Sequence, residues 1–186
     1  MGFVFLVIIL VFVLMVIVLY NSLIRKKNAV GNAFGAIDAM LKKRYDLLPN
    51  LVTTVKTYMN YERETLTKIT ELRNQATTAN ISQDQKIQLE NQIGSAMRSI
   101  MVQVENYPDL KANQNFLQLQ GSWNEIEEQI SAARRAYNAS VNDYNNAVEQ
   151  FPTNMMSRMM NYTLKPYLDI PEEERKNVSA EEMFKG

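Results

Sequence analysis

The sequence predicts an all-α protein, with one membrane-spanning helix at the N-terminus and a body of long packed helices behind it. Three observations predict this. Every residue from Phe3 to Leu19 is apolar. Downstream of Val30, apolar residues recur every three or four positions, the period of a helix that buries one face. Only 6 glycines and 5 prolines occur in 186 residues, which leaves few turns and favours long helices over many short strands.

The first element is the span. About 20 apolar residues cross a hydrocarbon core of roughly 30 Å. The many Val, Ile and Phe residues do not argue against a helix there. A lone strand would leave its backbone groups unpaired in lipid, whereas a helix pairs them internally. Tyr20 falls where an interfacial aromatic sits. A cleaved signal peptide would need a basic start, a shorter apolar core and a small-residue cleavage site. This start carries no Lys or Arg, so the expectation is an uncleaved anchor over residues 1–24. Position 6 is Leu, not the Ser or Thr that myristoylation of Gly2 prefers. Arg25, Lys26 and Lys27 follow at once. By the positive-inside rule they stay cytoplasmic, with the N-terminus outside and the body in the cytoplasm, at the lipid headgroups. Tyr20, Arg25, Lys26 and Lys27 thus mark the expected membrane boundary.

The body occupies residues 25–152 and carries three apolar stripes. The first runs Val30, Phe34, Ile37, Leu41, Leu48, Leu51, Val55, Met59, Leu66, Ile69, Leu72 and Ala76. The second is Leu89, Ile93, Met97, Ile100 and Val104. The third runs from Phe116 through Trp123, Ile130, Tyr137, Val141 and Tyr144 to Phe151. Their near seven-residue repeat points to coiled-coil-like bundle packing. Ser82 is an expected N-cap, and Pro108-Asp109 an expected helix start. Pro49 admits two readings. The first stripe keeps phase through it, which suits one kinked helix and so three long helices in all. It also suits the first position of a new helix after a tight connection.

Net charge is zero, with 20 basic and 20 acidic residues, and there is neither Cys nor His. Disulfides, thiolate or histidine zinc sites, cysteine nucleophiles and His-dependent triads are excluded. The charge balance removes the bulk electrostatic case for nucleic acid. No pattern implies a cofactor, a metal or a catalytic residue, and the expectation is a protein that is not an enzyme.

Two stretches, Arg44–Glu62 (RYDLLPNLVTTVKTYMNYE) and Tyr107–Pro152, carry the elements RYDLxPNLV, YPxLKAN and RxxYNxxVxxYN in that order behind the apolar run. Over about residues 20–170 the chain resembles the LemA family of bacterial membrane-anchored proteins. The resemblance implies a long antiparallel four-helix bundle in which Pro49 separates two helices. It implies a membrane-associated scaffold, or an adaptor for a membrane protease; the Asn, Gln and Tyr ladders on long helices, with zero net charge, suit lateral contacts between copies in a homo-oligomer. Gly31, Gly35 and Ala36, in an element that resembles the family less, suggest closer helix approach.

Several side chains invite a closer reading. Arg44, Asp46, Asn50, Arg134 and Asn138 suggest a structural polar layer, since a buried carboxylate–guanidinium pair fixes geometry and register. The rival is a ligand or ion site. Tyr137, Asn138, Tyr144 and Asn145 repeat with a step of seven, as packing with polar ladders or as a contact between subunits. Aromatic platforms for single-stranded nucleic acid need a basic groove, which a neutral chain does not favour. Glu125, Glu127 and Glu128 lack the histidines of a di-metal bundle site and read as a solvated face. Met155, Met156, Met159 and Met160 lie in a Met-rich segment (153–170). They either pack back on the body or form an interaction surface, for a partner or a membrane. Residues 171–186 are charged, lack a stripe and read as a flexible tail.

Overall fold

The computed structural model describes residues 1–59, 63–78 and 81–168, so the expected tail at 171–186 lies outside the described residues. Six α-helices and no strand occur among them. They are α1 (Gly2–Tyr58), α2 (Arg63–Ala76), α3 (Gln83–Val104), α4 (Pro108–Lys111), α5 (Gln114–Glu149) and α6 (Thr153–Met159). The first is long and apolar enough at its N-terminal end to cross a membrane.

The sequence starts and stops these helices by local chemistry. Ser82 caps α3 in a reciprocal capping box: its hydroxyl accepts from the Gln85 amide, and the Gln85 side chain accepts from the Ser82 N–H. Pro108 opens α4, where its missing N–H is no loss. The Asn113 side chain accepts from the Phe116 amide at the start of α5. Asn161, with φ 53°, ends α6. The Tyr162 amide returns to the Ser157 carbonyl and the Asn161 amide to that of Arg158, a Schellman closure with asparagine in the left-handed place.

One expectation needs correcting. Pro49 does not separate two helices, because α1 runs unbroken through it to Tyr58. A proline inside a helix leaves the carbonyl four residues earlier without its N–H donor. Here that carbonyl belongs to Tyr45, and it accepts from Arg73 Nε on α2 at 2.9 Å. A side chain from another helix replaces the missing donor, so the helix need not end.

The chain divides into two compact units, with α1 and α5 contributing to both. Unit 2 is Asp38–Ile130. Its core takes Leu48, Leu51 and Val55 from α1, Leu66 and Ile69 from α2, Ile93, Met97 and Ile100 from α3, and Phe116 and Trp123 from α5. Those are stripe positions, each contributing about 1.5–3 kcal/mol of burial. Unit 1 is Met1–Ile37 with the chain from Ser131 onward. It buries Leu23, Val30 and Ile37 of α1, and Tyr137, Val141 and Tyr144 of α5. Gly31, Gly35 and Ala36 are exposed, and a Cβ on either glycine would meet nothing within 4 Å. Among the described residues, the two glycines bring no other helix close.

Candidate functional site

Within unit 2, one charged cluster is buried. Arg44 is 2 % exposed and Glu90, on α3, 1 %. Arg44 Nη1 donates to Glu90 Oε2 at 2.9 Å, and Nη2 donates to Glu127 Oε1 on α5. The guanidinium lies over the Trp123 ring, 4.4 Å from its centroid, where the negative ring face attracts a cation. The Tyr45 hydroxyl donates to the other Glu90 oxygen. Burial pushes the Tyr45 phenol far above its ordinary value, and the Glu90 carboxylate pushes it further. The group stays protonated and keeps donating. Gly94, one turn after Glu90, makes room: a Cβ there would lie 3.1 Å from Arg44 Nη2.

This arrangement corrects the expected polar layer. Asp46 and Asn50 are exposed. Asp46 follows Arg44 by two residues, about 200° round the helix, so only one of them can face inward. Arg44 finds its carboxylates on α3 and α5 instead. Asn50 lines an open groove of about 500 Å³ with Thr54, Gln118 and Ser122, which presents amides and hydroxyls and no acid or base. Glu127, read as part of a solvated face, is drawn to Arg44, while Glu125 and Glu128 are exposed. Glu90 was missed altogether. The signal was there: Glu90 precedes Met97 by seven and Val104 by fourteen, a charged residue in a buried register.

Unit 1 holds a second constellation. After Asn161 the chain runs without helix or strand to Leu168 along α5. Asn138 donates to the Leu168 carbonyl and accepts from its amide, both at 2.9 Å. Asn145 does the same to Lys165, at 2.9 and 2.8 Å. The Tyr144 hydroxyl donates to the Thr163 carbonyl at 3.1 Å, and that of Tyr137 to Pro166 at 3.5 Å. Seven residues of helix rise about 10.5 Å, and three residues of extended chain span about 10 Å. The Tyr-Asn pairs at 137–138 and 144–145 therefore match main-chain positions three apart. They are a ladder that reads backbone. Arg134 is half-buried beside it. Burial raises the Tyr137 and Tyr144 phenols above their ordinary value.

The remaining expected residues divide by exposure. Tyr20, Arg25 and Lys27 are exposed and Lys26 is half-buried. Lys27 Nζ lies 4.7 Å from the Tyr162 ring centroid. Met155 and Met159 are exposed, whereas Met156 and Met160 are half-buried.

A long helical chain with an apolar N-terminal helix, a buried ionic tie and a backbone-reading ladder is the class of protein these features define. The model of the LemA family matches residues 33–181. Protein LemA of Metamycoplasma hominis is 31% identical over 163 residues, 88% of this chain and 74% of that protein. The chain belongs to the LemA family.

Proposed function

We propose that the protein is a membrane-anchored, non-catalytic helical scaffold that associates with copies of itself. Residues 1–24 are its single span, with the N-terminus outside and the body in the cytoplasm. In this reading the body is an antiparallel four-helix arrangement of α1, α2, α3 and α5, the Met-rich segment is 153–170, and 171–186 is a tail.

The observation that carries the proposal is the continuity of α1. One helix of 57 residues, about 85 Å, holds both the apolar run and the inward stripe of the body. The apolar run and the buried positions Leu23, Val30 and Ile37 share one helix, so the span fixes how unit 1 stands at the lipid surface. Arg25, Lys26 and Lys27 on the body side support the orientation. The buried charges support a structural role, since Arg44 and Tyr45 both donate to Glu90 and tie α1 to α3.

Crosslinking in intact membranes, read by mass spectrometry, tests self-association. Self-links are expected. Links to a membrane protease without self-links would replace the scaffold by an adaptor. Protease protection on sealed vesicles tests orientation, with the body cleaved only from the cytoplasmic side. Turnover of any substrate by the purified chain would end the non-catalytic reading.

A further inference from the structure

We propose that α6 is a second membrane contact, an interfacial helix that sits on the lipid through Phe151, Met155 and Met159. The inference rests on the span reading above. These side chains are 77 %, 63 % and 80 % exposed. Met155 and Met159, four apart, share one face of α6, and Phe151 precedes the helix. The opposite face is pinned, because buried Ser157 donates to the Val148 carbonyl at 2.9 Å.

The height of this face follows from contacts within unit 1. Phe34 packs edge-on against Tyr137, with ring centroids 5.9 Å apart. Lys27 lies against Tyr162, whose ring meets that of Tyr144. Seven residues back along α1 thus correspond to seven residues forward along α5. Continued to the end of α5, the same register sets Glu149 level with Ser22, just past the apolar run. Burial of α1 tells the same story. Residues 3–15 are exposed, Val16 and Leu19 are half-buried, and Leu23 is fully buried. The chain after Tyr162 runs from Tyr144 towards Asn138, away from the span. Tyr162 follows α6 by three residues and lies against Lys27, so the end of α6 stands near Lys27, three residues past the span. That level is the expected lipid boundary. Methionine and phenylalanine suit that depth, and Arg158 beside them suits anionic headgroups.

The chain has no cysteine, so single-cysteine variants of the full chain can carry an environment-sensitive fluorophore. The positions are Met155→Cys and Met159→Cys, with Leu10→Cys inside the span and Ala139→Cys on exposed α5 as controls. The probe membrane is a phosphatidylcholine–phosphatidylglycerol vesicle. Labels at 155 and 159 should be quenched by lipid-chain nitroxide, and quenched by iodide about threefold less than the label at 139. If they behave like the label at 139 while the label at 10 sits in lipid, the α6 contact fails and the span stands. Protection from both quenchers would mean a protein neighbour and would also overturn the proposal. A water-exposed label at 10 would sink both readings.

Discussion

Arg73 Nε lies 2.9 Å from the carbonyl oxygen of Tyr45, the acceptor that Pro49 leaves without a backbone donor. The two residues are 28 apart in sequence and on different helices. A charged donor to a stranded acceptor contributes about 1.5–3 kcal/mol. Arg73→Met should lower unfolding free energy in detergent by about that amount. Pro49→Ala restores the local N–H, so in that background Arg73→Met should cost at least about 1 kcal/mol less. A double-mutant cycle showing no coupling would remove this account of the unbroken α1.

Removing one partner from a buried ion pair strands the other charge, at about 3–5 kcal/mol. Glu90→Gln should show a loss towards the lower end, because Glu127 still faces Arg44 and the amide still accepts from Tyr45. Replacing Arg44 and Glu90 together by methionine should recover most of it. Denaturant midpoints of the three variants in one detergent check the order.

Tyr45 is protonated in the folded chain well above the ordinary tyrosine value of 10.0. A group with a raised folded pKa adds stability that is intact below the unfolded pKa and is lost as pH climbs towards the folded one. Stability should therefore fall as pH rises past about 10, by up to roughly 1.4 kcal/mol per pH unit from this group. Tyr137 and Tyr144 shift the same way and add to the slope. Tyr45→Phe should flatten it by about one proton, measured as midpoints across alkaline pH.

Two glycines in helices should respond oppositely to the same change. Gly35→Ala meets open space and should gain the helix-propensity difference of about 0.5–1 kcal/mol. Gly94→Ala presses on an Arg44 guanidinium held by two carboxylates and a ring, and should show no gain or a loss. Thermal midpoints of the pair, compared directly, test whether Gly94 is there for the guanidinium.

The ladder predicts protection of main chain by side chain. The amides of Lys165 and Leu168 donate to Asn145 and Asn138, so they should exchange slowly although Lys165 itself is exposed. Asn138→Ala should release the Leu168 amide, and Asn145→Ala that of Lys165. Each should cost about 1–2 kcal/mol. Leu164→Ala should leave both protected, because the contacts are to backbone. Hydrogen exchange read by NMR or mass spectrometry separates these cases.

Much of this was legible in the chain. The apolar run, the stripes that fill both cores, and the Ser82 cap all depend on neighbours within a turn or two, and sequence displays those directly. The repeated Tyr-Asn pairs were visible too, but their partner was not, because an extended segment with no stripe gives no sign of where it lies. Asp46 misled because closeness to Arg44 in sequence is not closeness in space on a helix.

The sequence alone therefore determined that the chain is helical, which faces turn inward and where it is greasy enough for a membrane, since period and hydrophobicity are local. Tertiary structure decided which carboxylates Arg44 meets, whether α1 survives Pro49, and what the asparagines at 138 and 145 hold. Those outcomes turn on groups from separate segments of the chain arriving within about 3 Å of each other, and no periodicity along one helix encodes that meeting.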